Sequence, residues 1–212
     1  MTALVTTELV ISLSAAAGAV EGSAAELNRL DGYAGDGDLG VTMSQAARAL
    51  KEVLAQSQEM SVPQLLSSCG AAIARSAPST SGTLVATGFL RAAKAISDPP
   101  APGVEALDQA FLAATEGIRA RGKASVGDRT LVDGLDAVCN SLQLSLFSGV
   151  GTGEALTLAA RAASAAAAAT AEMEPKVGRA SWVPGRAKGH PDAGCSMLAI
   201  ALGAVAAGYN QA

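Results

Sequence analysis

Apolar residues recur every three or four positions along this chain, and no stretch alternates branched apolar with polar residues at period two, so the pattern predicts an all-α fold. A first helix is expected over residues 7–28, with an irregularity at Gly18 or Gly22. A second spans 40–56 and carries Met43, Ala46, Ala47, Leu50, Val53 and Leu54 on one face. Ser61 and Gln64 in "SVPQ" form a capping box for a third helix, 61–75, where Pro63 is tolerated in the first turn. The fourth, 82–96, buries Val85, Phe89, Ala92 and Ile96 and is stopped by the prolines of "SDPPAPG". The fifth, 104–121, turns inward on Val104, Leu107, Phe111 and Ile118. The sixth, 130–147, shows the cleanest stripe, Leu131, Leu135, Val138, Leu142 and Leu146. A seventh, 154–173, is nearly all alanine past Leu158, which favours helix and lets neighbouring backbones approach closely. The eighth runs over 192–208.

Eight helices joined mostly by short loops favour an up-and-down array of antiparallel neighbours. In that topology the connections after helices one, three, five and seven emerge at one end. They are "DGYAGDGDLG", "SAPSTSG", "RGKASVGDRT" and "EPKVGRASWVPGRAKGHPDAG". The other end receives "AQSQEMS", "SDPPAPG" and "SGVGTG". Nearly all the Gly, Asp, Arg and Ser chemistry therefore falls at one rim, which is where a functional site is expected.

Composition narrows the class. Of 212 residues half are apolar, enough for one sizeable core and a single domain over 1–212. A net charge of −4, a pI near 5.0 and 3% aromatics supply neither a basic footprint nor a stacking platform for nucleic acid. Cys69, Cys139 and Cys195 have no disulfide or zinc spacing and read as core residues in a reducing cytoplasm. "MTALVTTELVISLSAAAGAV" has no basic residue ahead of its apolar run and carries Glu8, which argues against an export signal. "CSMLAIALGAVAAGY" is shorter than the roughly 20 residues that span a bilayer, so it reads as a core helix and no membrane partner is expected.

The rim chemistry starts with Asp31, Asp36 and Asp38 in "LDGYAGDGDLG". Carboxylates this close repel unless a cation neutralises them, and hard oxygen donors select Mg²⁺, Mn²⁺ or Ca²⁺. An EF-hand is excluded, because the twelfth position counted from Asp36 is Ala47 and not a bidentate glutamate. The bland alternative is that Asp36 and Asp38 only cap the second helix and form an Asx turn. "STSG" ahead of the fourth helix offers backbone N–H groups to an anion, although neither a P-loop nor a G-x-G-x-x-G turn is present. Arg179, Arg186 and Lys188 are candidates to face phosphate, Arg179 foremost. His190 has no nucleophile placed beside it and reads as an ordinary loop histidine before a catalytic base.

These loops resemble the L subunit of the dihydroxyacetone kinase family across nearly the whole chain. The matching stretches are "LDGYAGDGDLG", "SGTL" with "GFLRAA", "RGKASVGDRT", and "GRASW" followed by "GHPDAG". The resemblance implies a closed eight-helix barrel with an adenine nucleotide, ADP or ATP, and two Mg²⁺ ions at one rim. It makes Asp31, Asp36 and Asp38 the magnesium ligands and the centre of catalysis. It sets Leu39, Gly40, Val41 and Thr42 at a helix N-terminus against phosphate, and Thr80 and Ser81 in a second phosphate loop. Gly122 and Leu131 would enclose the nucleoside, Arg179 would contact the nucleotide, and Asp192, Ala193 and Gly194 would close the site.

Three departures stand out: Leu39 replaces a polar residue, often His; "PSTSG" replaces "GGASG"; and Ala193 replaces a frequent proline. A leucine cannot hydrogen-bond phosphate, which would weaken nucleotide retention and favour exchange. The implied activity is phosphoryl transfer to a short-chain ketose held on a separate K subunit. The donor is ATP, or ADP held on the chain and rephosphorylated by a phosphotransferase-system carrier. A homodimer is compatible with this reading. The rival classes are a nucleotide-sensing or regulator-binding module using the same rim, and a structural helical protein whose glycine loops are only turns.

Overall fold

The computed structural model describes residues 6–96, 101 and 103–211, and no strand occurs among them. Most of "SDPPAPG", and the residues before position 6, lie outside the described set. The order is α1 (Thr6–Gly22), α2 (Ala24–Gly32), α3 (Leu39–Leu54), α4 (Val62–Ser76), α5 (Thr80–Ala95), α6 (Val104–Gly122), α7 (Leu131–Ser148) and α8 (Thr152–Ala169). Two short 3₁₀ turns and the four-residue α9 (Pro184–Ala187) follow, then α10 (Ala193–Tyr209).

The first expected helix is thus two. The Ser23 N–H still bonds to the Ala19 and Val20 carbonyls, and the Leu27 N–H bonds to the Ser23 carbonyl, so the ladder continues through a bend beside Gly22. The bend carries the chain on to Gly32, one turn beyond the expected end, and leaves Asp31 on helical backbone. The Ser61/Gln64 capping box opens α4 as expected, and Thr130 with Asp133 forms a second one at α7.

Packing follows the chain. α1 lies against α3, each helix from α3 to α8 lies against the next, and α8 lies against α10, which returns to α1 and closes the ring. This is the up-and-down barrel. Leu27, Leu65, Leu142 and Leu156 are fully buried in it, each worth about 1.5 to 3 kcal/mol. Many wall positions are alanine, and short side chains do not fill a ring of eight helices. The interior retains an apolar cavity of about 290 Å³ lined by Leu13, Phe89, Phe111, Leu198 and Val205, among others. Leu146 departs from its expected stripe: it is exposed beside Leu144 and Phe147, while Ser145 takes the buried position in that turn.

One apolar cluster sets the site. It joins Leu39 and Met43 of α3, Val85 of α5, Leu131 of α7 and Ala193 of α10, with Leu27 and Leu30 of α2. The N-terminal turns of four helices therefore meet over a shared floor. The loops that precede them share one rim, as the alternation of connections predicts.

Candidate functional site

Asp31 organises the acidic turn: its Oδ2 accepts the Gly37 N–H at 2.8 Å and the Asp38 N–H at 3.1 Å. Gly37 sits at φ +77°, a left-handed conformation that glycine adopts without a Cβ penalty. One carboxylate oxygen from each of Asp31, Asp36 and Asp38 lies within 4.8 Å of the others. Asp38 occupies the position before α3, yet its side chain makes no cap bond. Asn28 takes that role, its Oδ1 accepting the Gly40 N–H at 2.6 Å and the Val41 N–H at 3.2 Å. The capping alternative therefore does not account for Asp38. Gly40 is required for a different reason, since a Cβ there would overlap the Ala24 backbone where α2 crosses α3.

The charges are unevenly balanced. Arg179 Nη1 donates to Asp36 Oδ2 and holds that carboxyl below the usual range. Partial desolvation, then the charges of Asp36 and Asp31, push Asp38 above it. One guanidinium thus satisfies one member of the trio. Three hard oxygen donors at this spacing, still short of positive charge, fit a divalent cation such as Mg²⁺.

The remaining expected residues gather on the same rim. Thr80 and Ser81 form the first turn of α5, ahead of its hydrogen-bond ladder, and Ser79 Oγ accepts the Gly82 N–H at 3.0 Å. Gly122 ends α6 where a Cβ would meet Leu84, and a Cβ on Gly194 would meet Leu131 at the head of α7. Asp192 caps α10, accepting the Cys195 N–H at 2.8 Å. Ala193 is buried beneath it. Thr42 is buried too, its N–H bonded to the Asp38 carbonyl at 3.0 Å. Leu39 opens α3, at the helix N-terminus where the resemblance set it, but its side chain is 6% exposed and joins the apolar floor with Met43 and Leu131. The first turn of α3 faces inward at that position, and the leucine side chain packs there instead of reaching toward the acidic turn.

Residues 173–192 form a strap across the rim, held by contacts that sequence reading missed. Arg129, 3% exposed and left-handed at φ +61°, donates Nε to the Thr170 carbonyl at 3.0 Å. Its Nη2 reaches the Ala187 and His190 carbonyls at 3.0 and 2.7 Å. His190 stacks on Tyr33 with ring centroids 3.5 Å apart, and Arg186 donates to the Gly32 carbonyl at 3.1 Å. Both contacts join the strap to the acidic turn. Arg186 and His190 were noted in the sequence, though not for these contacts, and Arg129 stood only within the charged run "GDRT". Nothing there separates a buried arginine from a solvated one.

Burial pushes the Asp192 carboxyl up to about 6, against the opposing pull of the Cys195 N–H and the Arg129 charge. A folded-state value above the unfolded one means a contribution to stability that is full below about pH 4 and lost as pH rises through 6. Asp192→Asn keeps a capping oxygen without the ionisation. It should flatten the dependence of Tm on pH between 4 and 7, leaving the variant about 3 °C or more above the parent at pH 7 relative to their difference at pH 4. Parallel curves in differential scanning calorimetry would contradict it.

Comparison with known proteins agrees with this geometry. Residues 33–207 match the DAK2 domain. The chain is 34% identical over 202 residues to the L-erythrulose kinase of Pectobacterium atrosepticum, covering 94% of this chain and 34% of that protein. It is 30% identical over 172 residues to the ADP-binding subunit DhaL of the PEP-dependent dihydroxyacetone kinase of Escherichia coli, covering 81% and 82% of the two chains. The crystal structure of the dihydroxyacetone kinase from C. freundii in complex with AMP-PNP and Mg²⁺ superimposes with a TM-score of 0.75 at 25% identity, over 98% of this chain and 35% of that one. The chain spans about a third of the length of the erythrulose kinase and of the human triokinase/FMN cyclase. With the barrel, the acidic turn and the match over residues 33–207 in agreement, the chain belongs to the DAK2 domain family.

Proposed function

We propose that this chain is the nucleotide-binding, phosphoryl-transferring unit of a short-chain ketose kinase, acting as a single domain over residues 1–212. The observation that carries the reading is the trio Asp31, Asp36 and Asp38, gathered within 4.8 Å and faced by Arg179. The AMP-PNP and Mg²⁺ in the C. freundii relative support the same ligands here. When bound, two Mg²⁺ ions would neutralise the phosphate charge and keep the transferring phosphoryl in line. The aspartates would hold the ions, Thr80 and Ser81 would offer first-turn N–H groups to phosphate, and Arg179 would pair with a phosphate oxygen. Gly122 and Leu131 would wall the nucleoside, and Asp192, Ala193 and Gly194, where the strap enters α10, would close over it.

The resemblance sets the ketose on a K-type partner, and His190, the one histidine of the chain, is stacked on Tyr33. Val41, Val126 and Trp182 are 53%, 51% and 80% exposed around this rim, and apolar groups so placed suit a docking surface. ATP is the direct donor in this reading, with ADP rephosphorylated by a phosphotransferase-system carrier as the alternative. The chain incubated with ATP, Mg²⁺ and dihydroxyacetone or erythrulose should show no phosphorylation above background. Turnover should appear when a K-type subunit is added. Ketose phosphorylation by the chain alone would refute the split site, and stoichiometric ADP surviving extensive dialysis would point to the carrier as donor.

A further inference from the structure

Arg179 is both a candidate phosphate ligand and, in this structure, the partner of a candidate metal ligand. The contested group is the Asp36 carboxylate, which a guanidinium and a cation would share only in competition. The strap that bears it is clamped at two places. On one side the Lys176 N–H bonds to the Asp128 carbonyl at 3.2 Å. On the other, Arg129 holds the Ala187 and His190 carbonyls and His190 stacks on Tyr33. Between the clamps, Gly178 adopts φ +68°, Arg179 and Asp36 are 59% and 46% exposed, and Trp182 is 80% exposed. Among the described residues, the Arg179–Asp36 pair and the Arg186 contact with the Gly32 carbonyl join this middle part to the acidic turn.

We propose that Arg179 is the internal counter-ion of the acidic turn in the cation-free protein, and that a divalent cation expels it, freeing the middle of the strap and turning the guanidinium over to phosphate. The inference rests on the reading of Asp31, Asp36 and Asp38 as cation ligands. Its physical basis is competition for one carboxylate. A guanidinium brings a single charge to Asp36 from a flexible side chain, whereas a divalent ion seated among three carboxylates interacts with all of them. A half-exposed ion pair is weak, so its loss is a small obstacle to the cation. The buried Arg129 anchor on one side and the Lys176 backbone bond to Asp128 on the other confine the movement to residues between 177 and 186. Metal and nucleotide would then bind in an order: the cation first unlocks the arginine, and the arginine then helps to hold the phosphate.

The test uses the full chain and Arg179→Gln. Mn²⁺ alone, followed by electron paramagnetic resonance, should bind the variant about twofold to fivefold more tightly than the parent, because the competing cation is gone. Mg·ADP should bind the variant more weakly, so one substitution acts in opposite directions on the two ligands. Trp182, the only tryptophan, reports the strap directly. Its fluorescence anisotropy should fall when Mg²⁺ saturates the parent, and should be low and unresponsive in the variant. Equal or weaker Mn²⁺ binding by the variant, or a Trp182 signal that ignores Mg²⁺ in the parent, would overturn the latch. If the Mn²⁺ effect is absent while Mg·ADP binds normally, only the latch fails. If neither protein binds Mn²⁺, the cation site and the latch fail together. If Mn²⁺ behaves as expected but no nucleotide binds, the latch stands and the kinase reading falls.

Discussion

Asp36→Ala should abolish Mg²⁺-dependent ADP binding, with an affinity loss on the order of 100-fold or more, while the helical circular dichroism spectrum stays unchanged. Removing even an outer partner of a metal ligand costs about 10- to 100-fold, and Asp36 is read as a ligand itself. The fold should tolerate the change because Asp36 is exposed, its removal opens no core cavity, and the lost pair with Arg179 is worth about 1 kcal/mol at most. Asp38→Ala should match it in binding and lose no stability, since that carboxyl is already disfavoured by its neighbours. Asp31→Ala should show a further effect: Asp31 also gathers the Gly37 and Asp38 N–H groups, so the turn should loosen as well as lose its metal. Isothermal titration with ADP and Mg²⁺ decides the matter. Unchanged affinity in all three variants would reduce the carboxylates to turn residues.

Arg129→Ala should cost about 3 to 5 kcal/mol of stability and detach the strap. Its guanidinium bonds to three backbone carbonyls from residues 41 to 61 positions away, and each would be left without that donor. For a chain of this size that corresponds to a fall in Tm of roughly 6 to 20 °C. Arg129→Lys keeps the charge but not the fork that spans the carbonyls, and should recover less than half of the loss. Amide hydrogen exchange should show increased opening at residues 187–190 in both variants, with the α4 core protected as before. A Tm within about 2 °C of the parent for Arg129→Ala would mean that the strap is held by other contacts.

Helix content, capping and the grouping of loops depend on neighbours within about a dozen residues, and these were legible in the sequence. The Ser61/Gln64 box, the inward face of α3, and the alternation of loops between rims follow from local hydrogen bonding and from the brevity of the connections. The acidic turn was legible as a candidate site for the same reason: its three carboxylates fall within eight residues of one another. What a side chain faces once helices cross is a different kind of fact. Leu39 follows three aspartates in sequence yet lies in the apolar floor, because the bend at Ser23 sets α2 across the head of α3 and turns that position inward. Asn28, unremarkable in a helical run, becomes the cap of α3 by the same crossing. Arg129, Tyr33 and His190 acquire their roles only when the strap, which spans some twenty residues, returns over the rim. Sequence determined the helices and the carboxylates. The tertiary structure decided which of them share a surface, because a ring closes through contacts between residues far apart in the chain.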